Sequence, residues 1–183
     1  MIVVKVGGSL YDHPRLGPGL RAYLDALGAP VLLVPGGGPL ADAVRRLDRT
    51  HRLGAEAAHW LALRALAVAT GFLEAVALRP EDPTPRRTVL DPYRFAVEDE
   101  ARPDHLPHSW DVTSDSIAAR AAAVSGAERL VLLKSVDVPP GTPWAEAAAR
   151  GWVDPHFPKL VADAPFRVAA VNFRRRLDDS APS

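Results

Sequence analysis

Two short apolar runs that each break off in glycines set the tightest limit on what this chain can fold into. "IVVKV" at 2–6 runs into Gly7 and Gly8, and "APVLLVP" at 29–35 runs into Gly36, Gly37 and Gly38. Apolar runs of this length without polar alternation are strands buried on both faces, as in a parallel sheet covered by helices. The segments between them have helical spacing. Leu16, Leu20, Tyr23, Leu24 and Leu27 mark a helix within 14–27, and Pro39 opens a second as a first-turn proline. Residues 54–79 read as one long alanine-rich helix, with Gly71 as a kink or a close contact. A helix over 113–125 precedes a third buried strand, "RLVLLKS" at 129–135. Short helices at 144–150 and 155–164 lead to a last strand, "FRVAAVN" at 166–172. The alternation predicts a three-layer α/β sandwich with a mostly parallel central sheet. The proline-rich stretch 80–107 reads as a surface excursion with a short strand at 87–90. The polar tail "RRRLDDSAPS" is expected to fray.

At 183 residues the chain is long enough for one domain with a real core. Twenty-two basic residues balance 22 acidic ones, so no broad charge points to nucleic acid or a membrane surface. Cysteine is absent, which excludes disulfides, thiolate nucleophiles and zinc–thiolate sites. The N-terminus enters a strand directly without a signal-peptide layout, and no apolar stretch reads as long enough to span a bilayer. A cytoplasmic protein is expected.

In an open α/β sheet, ligands sit at the carboxyl ends of the strands. Both glycine clusters fall there, and glycine lets backbone N–H groups approach an anion closely. Two such cradles on adjacent strands suit two phosphate-bearing molecules facing each other. Neither cluster is a G-x-x-x-x-G-K-[ST] or G-x-G-x-x-G fingerprint. Lysine occurs three times, and Lys5 stands inside an apolar strand, where burial is costly unless it faces a site or snorkels to solvent. Lys134 ends another strand at the same edge, and Lys159 sits in "HFPKLVADA". A further polar cluster, "HSWDVTSDS" at 108–116, opens the alanine-rich helix. Helix capping accounts for one or two of its residues and leaves Trp110 and one of Asp111 and Asp115 without a task.

"VVKVGGSL", "VLLVPGGGPLADAVRR", "DVTSDSIAARAA" and "LVLLKSVDV", in this order, resemble the amino acid kinase superfamily over nearly the whole chain. That resemblance implies transfer of the γ-phosphoryl of ATP, with Mg²⁺, to a small carboxylate, carbamate or phosphate. It implies an acceptor-binding half over 1–128 and a reduced nucleotide-binding half over 129–183. Lys5 corresponds to the lysine that bridges donor and acceptor, and Asp115 to the aspartate that orients the active-site lysines. Lys159 resembles the second lysine, on the ATP side. Gly7, Gly8 and Ser9 match the loop over the ATP phosphates, with Lys134 and Asp137 also on the nucleotide side. Gly36, Gly37 and Gly38 match the loop that holds the acceptor, where Arg45, Asp111 and Thr113 are further candidates.

"HSWDVTSDSIAA" and "LGAEAAHWLALRAL" are similar to the branch that makes the furan part of methanofuran or methylofuran. For that branch Asp111 would pair with an ammonium and Trp110 or His108 would lie near the ring. His59 and Trp60 either face the acceptor or pack a helix interface. The usual adenine-pocket pattern is missing from "VDVPPGTPWAEAAARGW", and the glycine-threonine signature from "NFRRRLDDSAPS". Three readings therefore stand: the furan phosphate kinase, a kinase of another phosphate or carboxylate, and a binding or regulatory protein with a degenerate ATP site. The superfamily further implies a homo-oligomer with a small-molecule acceptor and no nucleic-acid or membrane partner.

Overall fold

The computed structural model describes residues 1–78 and 86–179. Five strands form one all-parallel sheet: β1 (Ile2–Val6), β2 (Val31–Pro35), β3 (Arg87–Val89), β4 (Arg129–Lys134) and β5 (Arg167–Asn172), in the order β3-β2-β1-β4-β5. The helices are α1 (Leu16–Leu27), α2 (Gly38–His51), α3 (Ala55–Ala77), α4 (Pro92–Asp99), α5 (Ser114–Val124), α6 (Trp144–Ala149), α7 (Phe157–Val161) and α8 (Phe173–Asp179). Helices cover both faces of the sheet, as the fully buried pattern of β1 requires.

Strand alternation divides the core in two. Ile2, Val4 and Val6 pack with Val131 and Leu133 on the face covered by α1 and α8. Val3, Val34, Leu130 and Leu132 face the other way, against α5, α6 and α7. Helix α3 serves both layers, giving Leu63 to one and Leu73 and Ala77 to the other. By length and composition α3 is apolar enough to cross a membrane, contrary to the reading that no stretch is. Of that apolar window 28% is buried in this fold, including Leu63, Leu66, Ala69 and Leu73.

Three other expectations change. Helix α4 lies in what read as a loop; Asp91 caps it, its side chain accepting from the N–H groups of Tyr93 and Arg94, and Pro92 occupies the first turn. Gly71 is not a close contact, since a Cβ there meets nothing within 4 Å. The tail does not fray as a whole, because Phe173 and Leu177 of α8 are buried against α1. The basic and acidic residues between them hid a two-residue apolar stripe at helical spacing. Residues 180–183 of the tail and 80–85 of the proline-rich stretch lie outside the described residues.

Candidate active site

Alternation along β1 and β4 sets the centre of the site. Lys5 shares a face with Val3, and Lys134 shares a face with Leu132, which is the register partner of Lys5. Both ammonium groups therefore point to the α5 side, on neighbouring strands and close to their carboxyl ends. The first turn of α5 supplies Asp115 there. Lys5 Nζ lies 2.9 Å from Asp115 Oδ1, and Lys134 Nζ lies 2.7 Å from Oδ2 and 2.9 Å from Oδ1. All three side chains are buried.

Burial alone would raise the Asp115 carboxyl, but the two lysine charges and their hydrogen bonds outweigh it and hold it below the usual carboxylate range. Lys134 is pulled down to about 8, by burial first and by the charge of Lys5 second, against the attraction of Asp115. Two cations share one anion, so the triad itself keeps a net positive charge.

Asp115 is fixed by a residue that sequence reading did not single out. Buried Asp154 accepts five hydrogen bonds: from Thr113 N (3.0 Å) and Oγ1 (2.9 Å), Ser116 N (2.9 Å) and Oγ (2.5 Å), and Phe157 N (2.9 Å). It thus caps α5 from outside, while Thr113, the residue at the N-cap position, makes no cap with its own side chain. Thr113 is occupied in this network. The Asp-Pro pair in "GWVDPHF" signals a local cap; that its carboxylate reaches α5 is a long-range fact. Arg120, further along α5, holds Asp99 of α4 through both carboxylate oxygens and so ties the two helices together.

The two glycine turns pack directly on each other. A Cβ on Gly8 would lie 2.2 Å from Gly38 N, and one on Gly36 would lie 2.3 Å from Gly8 N. Gly38 also adopts a positive φ of 50°. Glycine is required here first by this close approach of two backbones. Tyr11 joins the loops too, its hydroxyl donating to Gly36 O at 2.9 Å. Helix α2 starts at this point without a side-chain cap, so its first-turn N–H groups are left for an anion.

A cleft of about 550 Å³, counted to its open mouth, lies between α2, α3 and the entrance to α5. Gly37, Leu63, Leu66, Val112 and Ile117 give it a largely apolar wall, with Arg45, His59 and Trp110 adding polar edges. The Arg45 guanidinium lies 4.6 Å from the Trp110 ring centroid, and Trp110 Nε1 donates to Asp48 at 2.7 Å. His59 stacks on His108 at 4.0 Å; burial and the charge of His108 push it down to about 4, so it is neutral at physiological pH. Trp60 packs edge-on against His108 and Tyr93 and is not among the lining residues of the cleft, whereas His59 is.

Other candidates are placed differently. Asp111 is exposed and is not among the cleft-lining residues, though its neighbours Trp110 and Val112 are. The second lysine that Asp115 holds is Lys134; Lys159 is exposed on α7 and outside that triad. At the turn after β1, Ser9 Oγ lies 2.8 Å from Ser135 Oγ, and Ser9 O accepts from Arg174 of α8. Asp137 is exposed and ion-paired with Arg175 at 3.0 Å. Helix α8 therefore borders the turn after β1, a role its sequence did not announce.

No family model matches the chain. Its sequence is 26% identical over 148 residues to the (5-(aminomethyl)furan-3-yl)methyl phosphate kinase of Methanocaldococcus jannaschii, covering 75% of this chain and 67% of that protein. Its fold is similar to that of uridylate kinase from Archaeoglobus fulgidus, with a TM-score of 0.64, 14% identity and coverage of 97% and 96% of the two chains. Aspartate kinase from Synechocystis matches with a TM-score of 0.59 and 14% identity, over 93% of this chain and 38% of that one. By architecture the chain has the fold of these two kinases, and by sequence it is similar to the furan phosphate kinase.

Proposed function

We propose that the chain is an ATP-dependent kinase that adds a phosphoryl group to a small phosphate monoester, with an aminomethyl-furan methyl phosphate as the acceptor and its diphosphate as the product. The observation that carries this reading is the buried Lys5–Asp115–Lys134 cluster at the carboxyl edge of the sheet, the edge at which the two glycine turns abut. Phosphoryl transfer asks mainly for positioning and for positive charge around a spread negative charge. Lys5 and Lys134 supply the charge, Asp115 fixes their spacing, and Asp154 fixes Asp115. The uncapped start of α2 suits the acceptor phosphate. The turn at Gly7, Gly8 and Ser9 would hold the ATP phosphates. Mg²⁺, when bound with ATP, neutralises the donor phosphates. An acceptor that is already an anion needs no general base.

The cleft beside α2 suits a compact ring or short apolar body, with Trp110 and His59 at its edge. None of its lining residues is acidic among those described, and Asp111 is exposed and not one of them. A second reading, an apolar monophosphate that carries no ammonium, is favoured by that same lining. An ADP-release assay with Mg·ATP, run with the furan monophosphate, UMP and isopentenyl phosphate and with product masses, separates them. Turnover of the furan with a gain of one phosphoryl group is expected; turnover confined to another acceptor overturns the furan assignment. Asp111→Asn is expected to weaken the furan phosphate by about 1–3 kcal/mol, and unchanged affinity removes the amine-reading role.

A further inference from the structure

Away from the lysine cluster, three donor atoms converge on one point. Glu100 at the C-terminal cap of α4, and His105 and His108 in the segment before α5, bring their ligand atoms within 4.8 Å of one another. Glu100 Oε1 lies 2.9 Å from His108 Nε2 and 3.6 Å from His105 Nδ1, a nitrogen that donates to Leu106 O at 3.2 Å and gives up that contact to ligate. Tetrahedral zinc with ligands at about 2.0–2.1 Å spaces them roughly 3.3 Å apart, so these separations bracket the value the metal would impose. The other nitrogen of His108, Nδ1, faces Glu56 Oε2 at the start of α3. A carboxylate on the far nitrogen fixes the tautomer and ring orientation of a ligating histidine.

The ring of His108 is held further by His59, stacked on it at 4.0 Å, and by the edge of Trp60. The third ligand, His105, is 40% exposed and Glu100 36%, which leaves an entry path and an open coordination position. An imidazole between two carboxylates needs a positive charge on the side of Nε2, which either a proton or a metal ion can supply.

We propose that Glu100, His105 and His108 bind a divalent transition-metal ion of the zinc class, oriented by Glu56, at a site distinct from the phosphoryl-transfer centre. Two imidazoles and one carboxylate select zinc, cobalt or nickel over Mg²⁺, which prefers oxygen ligands. The ion would tie α3, the end of α4 and the segment carrying Trp110 into one unit. It would therefore stiffen the outer wall of the acceptor cleft, which His59 and Trp110 line.

The test uses the full chain, freed of metal by a chelator and titrated with Co²⁺ and then Zn²⁺. One equivalent of Co²⁺ with visible absorption typical of low coordination, displaced by Zn²⁺, is the expected result. The surface double variant His105→Ala/Glu100→Gln is expected to lose this signal, and Glu56→Gln to weaken binding about 10-fold or more. Zn²⁺ should raise the melting temperature of the parent chain and not that of the double variant. Equal Zn²⁺ affinity in the parent and the double variant, or no binding by the folded parent, overturns the site; a proton alone then bridges the carboxylates. Turnover with Mg·ATP is read on the same samples, so failure of the metal site is distinguishable from failure of the kinase reading.

Discussion

Lys134 is the residue whose charge is most finely set. Burial and the neighbouring Lys5 bring its pKa down to about 8, so it is charged at neutral pH and loses its proton as pH rises through 8. Under the proposed function, that loss removes one of the two cations offered to the transferring phosphoryl group. The kcat/KM profile, which reports the free enzyme, is expected to fall on its alkaline side with an apparent pKa near this value. Lys134→Arg keeps the charge throughout that range, and is expected to lower the maximum while abolishing the alkaline fall. An identical fall in the arginine variant would assign it to another group. Lys5 was legible as an unusual lysine inside an apolar strand, and Lys134 only as a lysine that ends a strand at the same edge. Their joint grip on Asp115 follows from strand parity plus the neighbouring positions of β1 and β4, and only the first of these is visible in sequence.

At the scale of elements, most of the alternation was legible because buried parallel strands and long amphipathic helices leave strong periodic signals. Helices α4 and α8 were not read, for different reasons. The Asp91–Pro92 start of α4 is a local signal that the surrounding prolines masked. In α8 only Phe173 and Leu177 are apolar and buried, too few to raise a charged segment above a frayed tail. Their burial predicts that Leu177→Ala costs about 2–5 kcal/mol of stability, read as a lower midpoint in urea at unchanged slope. A cost under about 0.5 kcal/mol would mean that α8 is not docked on α1. Because Arg174 of α8 donates to Ser9 O, loosening this helix is also expected to disturb the turn after β1.

The whole molecule presents a defined cleft between α2, α3 and α5; under the proposed function it takes the acceptor, and short pieces (the turn after β1, the segment after β4, and α8) make up the nucleotide side. The missing adenine-pocket pattern keeps a binding or regulatory protein as the rival to a kinase. A ligand that binds only the native state must stabilise it, by about 2.7 kcal/mol at a hundredfold excess over Kd. Millimolar Mg·ATP is therefore expected to raise the melting temperature. No shift at that concentration would favour the rival.

The sequence by itself determined the layer architecture, the parallel sheet, the two glycine turns and the residue types available for phosphoryl transfer. These are local properties: apolar periodicity, a backbone that admits close approach, and a lysine where a strand should be apolar. The tertiary structure alone decided which charges meet. It placed Lys134 rather than Lys159 on Asp115, brought Asp154 across 38 residues to cap α5, left Asp111 at the surface, and gathered Glu100, His105 and His108 around one point with Glu56 on the far nitrogen of His108. Hydrogen bonds and ion pairs act over a few ångströms, and such distances between residues far apart in sequence exist only once strand order and helix packing are set.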